Sequence, residues 1–191
     1  MVAKKDIRES IIEAGQHTFT KFGFQKTTMN DIARTARKAK SSLYHYFTSK
    51  EEIFQEILEK EVRFLNEELR KVVATADTPQ QKIRNFFITR MQIICNLANL
   101  YSVLKDTYFE SYSFIEKQRE KFYNEEVAMV KKMLSDGVEA GVFLIKNLDI
   151  AVSAIITGLK GFEYAWVKES DESTNREKIE SLLDILLYGL V

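Results

Sequence analysis

Apolar positions recur at intervals of three and four along most of the chain, the period of helices that bury one face. In residues 5–22, Ile7, Ile11, Ala14, Thr18, Phe19 and Phe22 form such a stripe, and Gly23 follows as a C-terminal stop. Thr28 stands three residues ahead of Asp31, the spacing of a capping box, and opens a short second helix faced by Met29, Ile32, Ala33 and Ala36. After a break at Arg37 and Lys38 the pattern predicts a third short helix over 39–47. Thr48 or Ser49, with Glu51 and Glu52, then caps a long fourth helix whose apolar face is Ile53, Phe54, Ile57, Leu58, Phe64, Leu65, Leu69, Val72 and Val73.

The only proline follows Thr78, an N-cap and first-position pair that starts another helix. Beyond it the pattern predicts helix over 79–99 and 100–109, continuous or broken, and a long helix over 112–139 ending near Gly141. "NLD" at 147–149 opens a helix to about Lys168, and a last helix runs from Asn175 to Leu190, with Thr174 and Glu177 as a further capping box. The expected architecture is all-α with about nine helices. A head at 1–50 is joined to a body at 51–191 through a linking helix at 51–75.

Composition agrees with this. Seven Gly and one Pro among 191 residues are too few punctuators for the many turns of a β-sandwich or barrel. The single cysteine, Cys95, sits among Ile93, Ile94 and Leu97 and excludes an internal disulfide framework, as expected of a buried thiol in a reducing compartment. "MVAKKDIRES" lacks the apolar run of a signal peptide and no stretch approaches the length of a membrane span, so a cytoplasmic protein with no membrane association is expected.

Charge changes the picture more. The chain is neutral overall, yet residues 1–50 hold ten Lys/Arg against four Asp/Glu, a net +6 that the rest of the chain balances. Such a head either engages a polyanion or is merely kept soluble by its basic side chains. Enzyme chemistry finds no support. His17 and His45 are isolated, no spacing suits a metal, and no glycine-rich phosphate loop or Gly-x-Ser-x-Gly elbow occurs. Carboxylates follow helix-surface spacing among lysines, so no catalytic residue, metal or cofactor is expected.

Two short helices separated by a tight turn, preceded by a supporting helix and enriched in base, match the helix-turn-helix arrangement. At about 100° per residue, Ala39, Leu43, Phe47 and partly Tyr46 fall on one side of the third helix, and Ser41, Ser42, Tyr44 and His45 on the other. Small hydroxyls near the start of a helix let its backbone approach base edges, which suits Ser41 and Ser42. Tyr44 and Tyr46 can reach phosphates through their hydroxyls, and Lys50 adds a charge at the start of the next helix.

Over about 50 residues, "FTKFGFQKTT", the "DIA" of the second helix and "LYHYF" followed by "KEEIF" resemble the N-terminal DNA-binding domain of the TetR family of transcriptional repressors. Within that family the chain looks closest to the multidrug-sensing repressors. The resemblance implies a phosphate contact and N-cap at Thr28, base readers at Lys40, Ser41 and Ser42, and backbone contacts at Tyr44, Tyr46 and Lys50, with His45 on the DNA-facing surface. Two departures stand out: Arg37 replaces the usual glycine of the turn and Lys38 the usual apolar residue. Ser41 also replaces a frequent glycine.

The body carries Phe86, Tyr101, Tyr108, Glu110, Tyr112, Phe122, Tyr123, Tyr164 and Trp166, either ordinary core or the wall of an effector cavity for an apolar or aromatic organic molecule. Ala154, Gly158, Gly161 and Ala165 form a small-residue stripe that, with Leu182, Leu183 and Leu186, either packs within the chain or meets a second copy. The resemblance implies the effector cavity and a homodimer. A ligand-responsive repressor that binds palindromic operator DNA and is released by a small molecule is therefore expected. The alternative is a helical adaptor that binds protein partners without regulating transcription.

Overall fold

The computed structural model describes residues 2–97, 113–168 and 172–189. Among them are eight helices and no strand: α1 (Val2–Phe22), α2 (Met29–Thr35), α3 (Lys40–Tyr44), α4 (Lys50–Ala74), α5 (Pro79–Asn96), α6 (Ser113–Glu139), α7 (Leu148–Lys168) and α8 (Glu172–Tyr188). The helix expected over 100–109 lies outside the described residues. The chain forms two compact units, one built on Met1–Arg63 and one on Phe64–Asn96 with Arg119–Val191, so that α4 contributes to both.

The helix boundaries follow local chemistry. Gly23, at φ 79°, ends α1 and its N–H bonds the Phe19 carbonyl at 2.8 Å. Thr28 and Asp31 form the reciprocal capping box of α2. The carboxyl of Asp31 is held below its ordinary range chiefly by the Thr28 hydroxyl, then by the Thr28 N–H. Its contribution is therefore present above the ordinary carboxylate range and fades as pH falls through the lowered value. Ser49 Oγ accepts from the Glu52 N–H at the start of α4, while Glu52 reaches back to the Thr48 N–H and hydroxyl. Thr78 Oγ1 accepts from the Gln81 N–H to start α5, and Asn147 Oδ1 accepts from the Ile150 N–H to start α7.

Two boundaries differ from expectation. The third helix spans five residues rather than nine. The N–H groups of Tyr46 and Phe47 both turn onto the Leu43 carbonyl at 2.9 Å, and the chain passes at once into the cap of α4. The last helix starts at Glu172, so Thr174 lies inside it and does not cap it. Asn175, Ile179 and Leu183 are its buried stripe, at a spacing of four residues.

In the first unit, Ile11, Phe19, Phe24, Ile32, Leu43, Phe47, Ile53 and Phe54 make the core. Phe19, Phe24 and Phe54 cluster with ring centroids 4.7–5.6 Å apart. Glycine at position 15 lets α1 and α4 approach closely: a Cβ there would stand 2.6 Å from Ile53 Cγ2 and 3.3 Å from Ile57 Cδ1. Ion pairs Arg8–Glu56 and Glu9–Lys60 line the same seam.

In the second unit α5 packs against α7 and α8, and Arg84 joins α5 to Glu180 and Asp184 of α8. Its hydrogen bond to Asp184, then that to Glu180, raises the Arg84 pKa against the effect of burial. Phe143 folds back onto Gly137, and Lys131 pairs with Asp149 across the α6–α7 connection at 2.7 Å.

Gly15→Val should force α1 away from α4 and cost about 2 kcal/mol as overpacking. A urea titration of the full chain, read as a lower unfolding midpoint for the first transition, checks this.

Candidate nucleic-acid interface

The turn between α2 and α3 is a complete Schellman motif. The Lys38 N–H bonds the Ala33 carbonyl at 3.0 Å and the Arg37 N–H bonds the Arg34 carbonyl at 3.2 Å, with Arg37 at φ 53°. It is the only non-glycine residue at positive φ among the described residues. Gly141 closes α6 with the same two bonds, from Val142 to Gly137 at 2.9 Å and from its own N–H to Val138 at 3.0 Å, at φ 69°. The substituted turn thus keeps the glycine geometry instead of rearranging, at a backbone cost of about 1 kcal/mol.

That turn sets the phase of α3. Leu43 is fully buried and Phe47 nearly so, with the Arg8 guanidinium 5.0 Å from the Phe47 ring centroid. The opposite face holds exposed Ser41, Tyr44 and His45, as expected from the helical wheel, together with exposed Lys40, and Ser42 and Tyr46 lie half-buried at its edges. Ala39, expected on the inward side, is exposed because it is the N-cap that precedes the helix. Lys40 Nζ lies 5.9 Å from the Tyr44 ring centroid, a cation over an aromatic face. Thr28 is exposed at the start of α2, its hydroxyl 2.6 Å from Asp31 Oδ2. Seven of the eight expected interface residues therefore share accessible ground on α2 and α3 or their immediate flank.

Lys50 is the exception and revises the expectation that its ammonium is offered to a phosphate. Its Nζ donates to the carbonyls of Phe24 at 2.8 Å, Thr27 at 3.0 Å and Gln25 at 3.2 Å, and stands 4.5 Å from the Phe24 ring centroid. An ammonium has three N–H donors, and all three are used on the loop between α1 and α2. Lys50 fastens that loop, and so the position of Thr28, to the start of α4.

In the second unit Phe86 and Phe122 are buried and Tyr123 is half-buried beneath Lys160, whose Nζ is 4.5 Å from its ring centroid. Tyr101, Tyr108, Glu110 and Tyr112 lie outside the described residues, as do the side chains of Tyr164, Ala165 and Trp166. Sequence reasoning missed a buried ion pair here. Arg90 of α5 meets Glu126 of α6 through Nε–Oε1 and through Nη2–Oε2 at 3.1 Å, with both side chains almost wholly inaccessible. The guanidinium also lies 5.7 Å from the Phe122 ring centroid. A signal existed in the spacing: Arg90 continues the Ile83–Phe86–Phe87–Ile94 stripe, and Glu126 stands between Phe122 and Val130, so each charge occupies a core position of its helix.

Along α7 and α8, Ala154, Gly158, Gly161, Leu186 and also Ile150, Ile185 and Tyr188 are exposed. A Cβ added at Gly158 or Gly161 meets nothing within 4 Å among the described residues, so packing against those residues does not call for glycine at either position. Leu182 is half-buried, and Leu183 corrects the expected set: it is fully buried on the inward stripe of α8 and is not available to a second copy.

Two short helices joined by a Schellman turn and preceded by the supporting helix α1 define a helix-turn-helix DNA-binding domain. Residues 11–57 match the model of the bacterial regulatory proteins of the tetR family. The chain is 25% identical over 188 residues to the HTH-type transcriptional repressor KstR2 of Mycobacterium tuberculosis, covering 96% of this chain and 92% of that one. The same fold occurs in a putative TetR-family regulator from Syntrophomonas wolfei, with TM-score 0.77 at 18% identity over 98% of this chain and 97% of the other. It also occurs in FadR from Bacillus subtilis, solved with stearoyl-CoA, with TM-score 0.74 at 19% identity over 96% and 99%. The helix-turn-helix segment thus matches the tetR family model, and nearly the whole chain is similar to transcriptional repressors and regulators of that kind.

Lys50→Met should leave three loop carbonyls without their charged donor and cost about 1.5–3 kcal/mol. Thermal unfolding checks this, and a midpoint equal to wild type contradicts the loop-fastening role.

Proposed function

We propose that the chain is a homodimeric repressor that occupies a two-fold operator and is released by a small organic effector held in its body. The observation that carries this reading is the division of α3 and the three residues that follow it into an inward and an outward side. Leu43 and Phe47 face inward, while Ser41, Ser42, Tyr44 and His45 face out beside Thr28, inside the segment that matches the family. In this reading Lys40, Ser41 and Ser42 read base edges, and Thr28, Tyr44 and Tyr46 hold phosphates.

Two-fold symmetry would set the reading helices about 34–36 Å apart, or a multiple of that spacing. The open glycines and exposed apolar residues of α7 and α8 support this part: a second copy gives Gly158 and Gly161 the close neighbour that the described residues of their own chain do not supply. Repression is also what the similarity to KstR2 supports.

For the effector, the reading points to the buried Arg90–Glu126 pair with Phe122 beside it and buried Phe86 one turn earlier on α5, apolar residues around one fixed polar group, as small-molecule sites have. A buried ion pair is weak support for stability, and this reading assigns it the orienting of a ligand. An effector that prefers one conformation of the body weakens DNA binding by linkage, without sharing the DNA surface. Among the described residues no helix is long and apolar enough to cross a membrane, and the reading places the protein in the cytoplasm with the operator.

Selection from a random duplex library tests the reading directly. Ser42→Ala should relax the preference at one position of each half-site, while Tyr44→Phe weakens binding to every sequence alike by about 1 kcal/mol. An identical consensus for wild type and Ser42→Ala removes Ser42 from base reading. Gly158→Glu should sediment as a folded monomer; a dimer that survives it moves the interface elsewhere.

A further inference from the structure

We propose that Arg37 is itself a DNA-backbone contact, and that the helix-turn-helix turn keeps an unfavourable residue because its guanidinium neutralises an operator phosphate. The inference deepens the DNA-binding reading above and rests on it. It starts from a contrast inside the chain. The described residues contain four positions at positive φ, and glycine fills three of them, Gly23, Gly141 and Gly189. Arg37 fills the fourth, at φ 53°, within the same pair of hydrogen bonds that Gly141 makes. Glycine adopts this conformation without the steric penalty that any side chain brings.

Packing gives no reason to prefer arginine here. The Arg37 side chain is exposed, whereas the residues that hold the turn, Ile32, Ala33, Ala36 and Leu43, are buried and apolar. The strain is therefore tolerated for something the exposed group does, and backbone outliers of this kind concentrate at binding sites. The position of the turn narrows that role. Arg37 lies three residues before Lys40, the first residue of α3, and with exposed Arg34, Lys38 and Lys40 it forms four cations within seven residues. Among the described residues Arg34 is the one of the four paired with an acid, its Nη2 being 3.9 Å from Asp31 Oδ1.

A planar guanidinium beside the leading end of a reading helix suits two oxygens of one phosphate. A simpler role competes: a cation after α2 stabilises the negative end of that helix. The two roles differ in what the substitutions do.

The test uses the full chain and a duplex selected by the wild-type protein, with affinity measured across a salt series. Arg37→Gly should raise the unfolding midpoint by about 2–4 °C as strain is relieved. It should also weaken operator binding five- to tenfold and lower the slope of log K against log salt by about 0.9 for each phosphate no longer neutralised. Arg37→Gln, which keeps the strain and removes the charge, should show the same fall in affinity and slope without the gain in stability. Arg37→Lys should restore the slope but only part of the affinity. Unchanged affinity and slope in both Arg37→Gly and Arg37→Gln would overturn the proposal and leave Arg37 a helix-end cation. A wild-type protein that selects no duplex would instead fail the DNA-binding reading itself.

Discussion

The burial of Leu43 and Phe47 is the constraint on which the rest of the head depends. A helix of five residues has no stability of its own, and Ala39 gives it no side-chain cap. Two inward anchors, each worth about 1.5–3 kcal/mol when buried, are what hold α3 to the core of Ile32, Ile53 and Phe54. Once they are fixed, helical geometry leaves Ser41, Tyr44 and His45 no place but the surface. The other devices of the head serve this placement. Gly15 brings α4 against α1, the Schellman turn at Arg37 sets the angle of entry, and Lys50 holds the loop that ends at Thr28.

Much of this was legible because it is local. Gly23, Thr28 with Asp31, Thr78 with Pro79, and Gly141 each carry their structural reason within four residues, and the structure places helix ends at all of them. The phase of α3 was equally readable, since Leu43 and Phe47 are the apolar residues one turn apart. What was not legible depends on residues distant in sequence. The ammonium of Lys50 is spent on carbonyls 23–26 residues away, which no periodicity reveals. Leu183 belongs to the inward face of α8 because Asn175 and Ile179 point the same way, and an apolar stripe two residues wide does not show which edge is covered.

The Arg90–Glu126 pair shows a different limit. Both charges occupy core positions of their helices, yet a single charged residue in an apolar stripe reads as an interruption until its partner 36 residues away is seen. Gly158 and Gly161 are the reverse case. Their small size was plain in the sequence, but only the structure shows that no described residue packs against them.

The claim beneath all of this is that DNA meets the protein on the outward face of α3 and the turn before it. Hydrogen–deuterium exchange of the full chain, with and without a selected duplex, locates that surface without altering a residue. Backbone amides over 36–47 should slow on DNA addition, together with those at the start of α2. Exchange over 36–47 that stays unchanged while another surface becomes protected would contradict the account.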